Sequence, residues 1–240
     1  MNTTSTVAAT AGVKMMFLIK RRATSTREEL LVHWFANHMP DVINAMQNTA
    51  HGYAATLFDA DASGAFPWDG VAQIWLDEAM AAPAEPYGTQ PSDSFQQHAQ
   101  PYVPWATKEY VVIDGAEQLP VTPLTLNAPY PCTRSGFFKV SFLVKTQSNI
   151  DHEVFFDHWL NVHAPNVAKT MDQVGGFHYV ISHSLDPAKD AYAGMAELYF
   201  PNASGWARYK EVIQPDGMEQ WVANDGTLVL RARTEMIGIP

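Results

Sequence analysis

Two copies of the block His-Trp-x-x-x-His-x-Pro carry the side chains in this sequence that are best suited to chemistry. The first copy spans residues 33–40 and the second spans residues 158–165. An imidazole has a pKa near neutrality, so a histidine in a pocket can take a proton from a substrate and return it. The candidates for this acid/base role are His38 and His163, the second histidine of each block.

The two blocks belong to a longer internal repeat. Residues 14–46 align without a gap with residues 139–171. A period this long exceeds the roughly 20 to 50 residues of a solenoid unit, so it predicts two domains or one fused pseudo-dimer. The expected division of the chain is a disordered tail at residues 1–12, a first repeat at 13–115, a linker at 116–136 and a second repeat at 137–240.

Each repeat shows the same order of predicted elements. A short apolar strand, at residues 15–20 and 140–145, precedes capping residues and a helix over about residues 26–46 and 151–172. Further strands are predicted at 53–58, 71–76 and 109–113, and at 177–184, 195–200 and 227–231, with a helix over 203–212. The order β-α-β-β-α-β is that of a ferredoxin-like unit.

Helical spacing places one histidine of each block on the apolar face. At about 100° per residue, His38 falls between Trp34 and Leu31, whereas His33 falls at the edge of the face. A buried imidazole needs a hydrogen-bond partner, so His38 either bonds a backbone carbonyl near Pro40 or faces a pocket. The second repeat has the same pattern, with His163 on the face and His158 at the edge.

Aromatic and imidazole side chains near these helices are the candidates for substrate binding. Trp34 and Trp159 lie on the helices, and Tyr53 and His178 occupy paired positions, at an offset of 125, on the strand that follows. Each of these rings can also be an ordinary core residue. The substrate-binding candidates are Trp34, Tyr53, Tyr87, Tyr102, Trp159 and His178.

Residues 83–107 look like a proline-rich insertion that is present in the first repeat alone. The segment contains five prolines together with Tyr87, Tyr102 and Trp105. Long loops within compact domains often have a function, so the segment is either a plain surface loop or a lid over one of the pockets.

Metal binding is not expected. His33 and His38 are five residues apart, about 140° round a helix, so they do not face one ion as an i, i+4 pair would. His178 and His183 are five apart on a predicted strand and so point to opposite faces. Gly175 and Gly176 form an isolated pair rather than a phosphate-binding loop. We therefore expect neither a metal nor another cofactor.

The overall composition restricts the partners. The formal net charge is −10 at pH 7, which opposes binding to nucleic acid or to an anionic membrane surface. Cys132 is the only cysteine, so no intrachain disulfide can form and a reducing compartment, the cytoplasm, fits best. No run of residues approaches the roughly 18 apolar residues of a membrane span.

The repeated block resembles the EthD family of dimeric α+β barrels. The resemblance rests on H-W-x-x-x-H-x-P in the first helix, after a strand with FLIK at residues 17–20 or FLVK at 142–145. It implies an α+β fold in which two ferredoxin-like repeats are fused as an intrachain dimeric α+β barrel, with a candidate pocket between each sheet and its helices. Relatives include proteins of ether degradation, polyketide dehydratases, cofactor-free oxygenases and haem binders, so the resemblance does not fix the reaction.

Three functional hypotheses follow. The first is a cofactor-independent acid/base lyase or dehydratase that acts on a hydrophobic aromatic small molecule, from aromatic or lignin-derived catabolism or from a polyketide pathway. The second is a cofactor-free oxygenase of phenolic substrates, and the third is a non-catalytic small-molecule-binding protein. A homodimer of the fused barrel is compatible with all three.

Overall fold

The computed structural model describes residues 7–119, 121 and 128–240. Residues 1–6 of the expected tail, and residues 120 and 122–127 of the expected linker, lie outside the described residues. In the described part of the tail, Ala9 forms a bridge with Tyr110 and the backbone N–H of Thr10 donates to the carbonyl of Glu109. These two tail residues are therefore held against a strand.

The described chain contains eight strands, and they form one antiparallel barrel. The strands are β1 (Val13–Ile19), β2 (Gly52–Phe58), β3 (Gly70–Leu76), β4 (Trp105–Ile113), β5 (Cys132–Val144), β6 (His178–Ser184), β7 (Gly194–Phe200) and β8 (Leu228–Ile239). They are hydrogen-bonded in the order β1-β3-β2-β8-β5-β7-β6-β4, which closes on itself. The predicted α+β barrel of two fused repeats is confirmed.

The first helix of each repeat contains a π-helical turn. The helices are α1 (Arg27–His33), α2 (Met39–Met46), α3 (Ser94–His98), α4 (His152–His158), α5 (Ala164–Val174) and α6 (Ala203–Val212). A π turn joins α1 to α2 at Trp34–His38, and another joins α4 to α5 at Trp159–His163. Such turns, frequent at functional sites, shift the face presented by the residues that follow them. Here each turn begins at the tryptophan and ends at the histidine of the repeated block.

Side-chain caps fix where these helices begin. The Thr26 hydroxyl accepts from the backbone N–H of Glu29, and the Glu29 carboxylate accepts from the backbone N–H of Thr26 at 2.8 Å. In the second repeat, Asp151 accepts from the backbone N–H groups of Glu153 and Val154. Both caps satisfy donors that a helix start leaves open. They also set the number of residues between the helix start and the histidine of each π turn.

The chain forms two compact units. The first unit includes Gly12–Ala106 and Ala232–Pro240, and the second includes Thr107–Leu119 and Gly136–Arg231. These units cross the bounds expected from the repeat, because β4 pairs with β6 and the end of β8 pairs with β2. Each unit has a core of its own, built around Trp34 in the first unit and around Trp159 in the second.

The connection between the third and fourth strand has nearly the same length in both repeats. Residues 77–104 join β3 to β4, and residues 201–227 join β7 to β8. The prediction that residues 83–107 are an insertion in the first repeat is therefore wrong. The connections differ in content, since the second contains the ten-residue α6 and the first contains the five-residue α3. Trp105 is a buried residue of β4, not part of the loop.

A glycine lies against the buried tryptophan in each repeat. A Cβ at Gly70 would lie 2.6 Å from the Thr56 carbonyl oxygen and 3.0 Å from the Trp34 ring. A Cβ at Gly194 would meet the Ser182 carbonyl oxygen and the Trp159 ring at the same two distances. Both positions therefore exclude a side chain, and both help to place the tryptophan.

The substitution Gly194→Ala is expected to lower the free energy of unfolding by about 1–3 kcal/mol, because a backbone carbonyl cannot move aside as a side chain can. Urea denaturation measures the loss. The matched control is Gly176→Ala, whose Cβ would come closest to the flexible end of Met171, at 2.6 Å. That variant should lose less stability, and a loss as large as that of Gly194→Ala would contradict the argument.

Candidate functional site

Each unit contains a cavity lined by residues of its helices and of its sheet. The first cavity, in the first unit, has a volume of about 290 Å³ and includes Trp34, His38 and Tyr53 in its lining. The second cavity, in the second unit, has a volume of about 440 Å³ and includes Trp159 and His163. Both volumes are of the order of the roughly 300–1,000 Å³ that small-molecule sites occupy.

The histidine of the first cavity is bonded to a carboxylate. His38 Nδ1 lies 2.6 Å from Asp93 Oδ2, and both side chains are partly buried. The other oxygen of Asp93 accepts from the backbone N–H of Gln96 at 2.7 Å, because Asp93 is the N-cap of α3. Burial alone would raise the pKa of Asp93, but the hydrogen bonds from His38 and Gln96 outweigh it and lower this pKa.

The second cavity repeats the arrangement. His163 Nδ1 lies 2.8 Å from Asp216 Oδ2, and the Asn166 side-chain amide donates to the same oxygen at 2.7 Å. Burial would raise the pKa of Asp216, but the bonds from Asn166 and His163 and the nearby imidazole lower it overall. Burial lowers the pKa of His163, and the neighbouring Asp216 offsets only part of this effect. Near neutral pH, His163 is therefore a neutral imidazole beside an ionised carboxylate.

This pairing assigns the protons on the imidazole. An ionised carboxylate can only accept, so the ring nitrogen that contacts Asp216, Nδ1, must donate. In the neutral ring, Nε2 then carries the lone pair and can act as a base. A carboxylate that holds the tautomer and orientation of a histidine in this way is a recurring feature of acid/base sites.

A tyrosine and a tryptophan accompany each histidine. Tyr53 lines the first cavity and Tyr179 lines the second, and both are fully buried. Burial raises the pKa of each hydroxyl, and a bond from Trp34 or Trp159 opposes this only in part. Both tyrosines therefore stay protonated at neutral pH. The two sites therefore share four residue types: a Trp, a His and a Tyr line each cavity, and an Asp bonds the histidine.

The expected pairing of Tyr53 with His178 is off by one residue. The equivalent of Tyr53 is Tyr179, because Tyr179 follows Met171 by one more residue than Tyr53 follows the aligned Met46. Neighbouring strand residues point to opposite faces, so the slip turns His178 away from the cavity. His178 Nδ1 instead accepts from the backbone N–H of Gly115 at 3.1 Å, and its ring lies edge-on to Tyr199.

The connection before β4 adds aromatic side chains to the first cavity. Tyr87 and Tyr102 both line it, and a backbone bridge joins the two residues. The Phe17 ring packs against both tyrosines, with its centroid 6.3 Å from that of Tyr87 and 6.2 Å from that of Tyr102. Of the aromatic residues considered for a lid, Trp105 is not among the lining residues.

The first histidine of each block lies beside the site. His33 Nδ1 and the Ser94 hydroxyl are 3.0 Å apart, and the His33 ring stacks on His98 with centroids 4.6 Å apart. In the second repeat, the His158 ring lies near Trp221. These contacts give His33 a packing role next to α3 and His158 a packing role next to Trp221.

The two aspartates are the site residues that sequence reasoning missed. Asp93 and Asp216 are 55 and 53 residues beyond their histidines, in connections whose sequences differ between the repeats. A signal did exist, because an alignment of these connections that allows a shift of two residues pairs the two aspartates. In both repeats, the histidine bonds a carboxylate and not the backbone carbonyl that was considered as its partner.

The described residues contain neither a candidate metal cluster nor a membrane-spanning helix. No group of three or more His, Cys, Asp or Glu side chains among them could hold a metal ion. Likewise, none of the helices found in this part of the chain has the length and apolar character needed to cross a membrane.

The chain has similarity to one protein family and to several solved structures. Residues 147–225, which include His163 and Asp216, match the family model of the EthD domain. An anthrone oxidase-like protein has 8% sequence identity and a TM-score of 0.56, with 95% of this chain and 94% of that chain covered. A protein provisionally described as a chlorite dismutase has 10% identity and a TM-score of 0.50, with 94% and 95% covered.

A mutant chlorite dismutase from Candidatus Nitrospira defluvii has 9% identity and a TM-score of 0.48, with 93% of this chain and 92% of that chain covered. No curated protein matches the sequence significantly. Identities this low concern the fold alone. Residues 147–225 are therefore similar to an EthD domain, and the described chain has the fold of the dimeric α+β barrels.

Proposed function

We propose that the second cavity is the active site of a cofactor-independent enzyme, in which His163 moves a proton on a hydrophobic aromatic small molecule. The observation that supports this most strongly is the 2.8 Å contact of Asp216 with His163, which lines a largely apolar cavity. A lyase or dehydratase reaction suits the site, because it needs a base and then an acid at one place.

The proposed mechanism uses the His163–Asp216 pair, the dyad, in two successive proton transfers. His163 Nε2 takes a proton from the substrate, and Asp216 stabilises the imidazolium that forms. The imidazolium then returns the proton to the leaving group, and its departure completes an elimination. Imidazole alone can carry out both steps, so the proposal includes no metal and no redox cofactor. Apolar walls exclude water, which strengthens the polar contacts to the substrate.

Two observations favour the second cavity over the first. It is the larger of the two, at about 440 Å³ against about 290 Å³. The match to the EthD domain covers its dyad. The first cavity, with Tyr87 and Tyr102, is then a binding site for an aromatic ring without turnover.

We extend the proposal to a cytoplasmic location and to a homodimer of the fused barrel.

Turnover of a small panel of compounds tests the proposal. Phenolic lignin-like dimers and polyketide alcohols are incubated with the full chain in the presence of EDTA, without added metal or nucleotide, and the products are separated by mass. Loss of water or of another leaving group from at least one compound is expected. A panel that is bound but never converted would favour the non-catalytic binding protein.

A cofactor-free oxygenase is the second candidate, and the likeness to an anthrone oxidase-like protein is the observation in its favour. The same dyad would deprotonate a phenol or enol, and the resulting anion would react with dioxygen. The panel is therefore run in air and under nitrogen. Equal rates with no gain of oxygen mass support the lyase, whereas a rate that depends on dioxygen supports the oxygenase.

The pH profile is expected to show the neutral form of His163 as the active form. Only a neutral imidazole can act as a base, so kcat/KM should fall as the pH drops through the pKa of His163. Burial lowers this pKa from its ordinary value of 6.5, so activity should be full at pH 7 and fall only below about pH 6.5. A profile of kcat/KM between about pH 4.5 and 8 measures this. A midpoint above pH 7 would contradict the assignment.

A further inference from the structure

Residues that line the second cavity carry buried polar hydrogens without acceptors. The hydroxyl of Tyr179 and the indole Nε1 of Trp206 are buried and have no hydrogen-bond partner. Both residues line the cavity, with Tyr179 at 0% and Trp206 at 8% exposure. The indole Nε1 of Trp159, which also lines the cavity, is a third such donor. Buried donors almost always have a partner, so three donors without one on the residues of a single cavity point to an acceptor that arrives with a ligand.

The neighbouring Trp159 does not remove the need for this acceptor. Its indole N–H is close enough to the Tyr179 oxygen to affect the pKa of Tyr179, but both atoms lack a well-formed hydrogen bond. Even a complete bond from Trp159 would use only a lone pair of the Tyr179 oxygen. The Tyr179 proton would still lack an acceptor, and so would the N–H of Trp206.

Trp206 distinguishes the second cavity from the first. It lies on α6, and the corresponding connection of the first repeat contains the shorter α3, whose Phe95 lines the first cavity without a polar hydrogen. There, the Tyr102 hydroxyl accepts from Gln96 at 3.5 Å. Tyr53 corresponds to Tyr179, but the described lining of the first cavity holds no indole in the place of Trp206.

We infer that the ligand of the second cavity is an aryl ketone, whose carbonyl oxygen accepts hydrogen bonds from Tyr179 and Trp206 while its α-carbon faces His163. This inference rests on the proposed function and specifies its substrate class. His163 Nε2 takes the α-proton, and the C–H electron pair forms a carbon–carbon double bond as the carbonyl π pair moves to oxygen. The two donors stabilise the enolate oxygen, as preorganised donors do in an oxyanion hole.

The enolate can collapse in one of two balanced ways. In a β-hydroxy ketone, an oxygen lone pair re-forms the carbonyl, the enolate C=C pair forms a double bond between the α- and β-carbons, and the β C–O bond breaks. The departing hydroxyl takes the proton from the His163 imidazolium and leaves as water. A ketone without a leaving group is protonated again at the α-carbon. No oxidant or reductant takes part in either step. The second outcome lets a simple ketone serve as a probe.

Two probes of nearly equal shape test the ligand class. The first probe is 2-acetylnaphthalene, and the second is 2-isopropenylnaphthalene, in which a CH₂ group replaces the carbonyl oxygen. Equilibrium dialysis against the full chain gives both affinities without any turnover. Wild-type protein is expected to bind the ketone about tenfold more tightly or better, because a neutral hydrogen bond to a buried donor contributes about that much. Equal affinities would overturn the inference.

Single substitutions test which side chains cause the tighter binding of the ketone. Tyr179→Phe and Trp206→Phe should each weaken binding of the ketone severalfold while leaving that of the alkene nearly unchanged. Tyr110→Phe, which removes a hydroxyl outside both cavities, should keep the preference. A preference that survives in both Tyr179→Phe and Trp206→Phe, or that is lost in Tyr53→Phe instead, would overturn the assignment. Because the Tyr179 hydroxyl lacks a partner, Tyr179→Phe should be as resistant to urea as the wild type, so a folding defect will not hide the result.

Exchange of the acetyl protons in deuterated water separates this inference from the proposed function. Nuclear magnetic resonance should show that wild-type protein accelerates this exchange in 2-acetylnaphthalene and that His163→Gln does not. If the ketone is preferred in dialysis but its protons do not exchange, the ligand class stands and the acid/base role of His163 fails. If the two probes bind equally and turnover of other compounds still needs His163, the proposed function stands and the aryl ketone is rejected as the ligand class.

Discussion

His163→Gln is expected to lower kcat/KM about 10²- to 10⁴-fold on any substrate that the wild type converts, since this is the usual loss when a general acid/base is removed. Glutamine keeps a polar side chain of similar length but cannot take up a proton. The rate is measured under initial-velocity conditions at pH 7, with urea denaturation as the check that the variant is folded. Most of the activity should disappear in this one substitution.

The first repeat provides the matched comparison for this prediction. His38→Gln changes the equivalent residue and removes the equivalent bond to Asp93. If the second cavity is the active site, this variant should lose less than about tenfold, far below the loss expected for a general base. A larger loss in His38→Gln than in His163→Gln would assign the activity to the first cavity. Activity retained in both variants and in the double variant would reject the role of these histidines.

Removal of a buried carboxylate should have the largest effect on stability. Lys139 Nζ lies 2.7 Å from Glu197 Oε1, and the two side chains are 0% and 3% exposed. The substitution Glu197→Leu leaves the Lys139 ammonium in the interior without this counter-charge, so the free energy of unfolding should fall by about 3–5 kcal/mol. Urea denaturation at pH 7 measures the difference.

Two further variants show whether the loss comes from an unpaired charge. The double variant Lys139→Met/Glu197→Leu replaces both ions by apolar side chains and should recover most of the lost stability. Asp186→Ala breaks the Lys189–Asp186 pair, which is largely exposed, and should cost less than about 1 kcal/mol. A single Glu197→Leu variant as stable as Asp186→Ala would show that burial does not control the strength of the Lys139–Glu197 pair.

Local signals in the sequence were sufficient to predict most elements. The helix predicted over residues 203–212 has these bounds in α6, and the strand predicted over 71–76 differs from β3 by one residue. Capping residues and apolar periodicity act over a few neighbours, so the sequence around each element determines its type and its bounds. The repeat then extended each local prediction to the other half of the chain.

Features that depend on hydrogen-bond register were not predictable in this way. The π turns at residues 34–38 and 159–163 change which carbonyl each N–H meets, and side-chain pattern carries no direct sign of this. The pairing of Tyr53 with His178 failed for a related reason. One additional residue between Met171 and Tyr179, compared with the stretch from Met46 to Tyr53, shifts the strand, and a shift of one reverses the face of every side chain in it.

Contacts between distant parts of the chain limited the prediction of the site. His38 and His163 could be chosen because they lie on an apolar helix face, but their partners belong to loops more than 50 residues away. Loops have no periodicity that would indicate direction. The choice between a backbone carbonyl and a carboxylate, which changes the chemistry of the histidine, therefore had to come from the structure.

The presence of both cavities in one polypeptide affects how such a protein can evolve. In a barrel assembled from two identical subunits, every substitution appears in both pockets at once, so a change that improves one pocket also alters the other. Here, Trp206 of α6 and Tyr102 before β4 lie in different cavities and are encoded separately. One cavity can therefore acquire new residues under selection while the other retains its original ligand, and a gene duplication can produce two specificities within a single folded product.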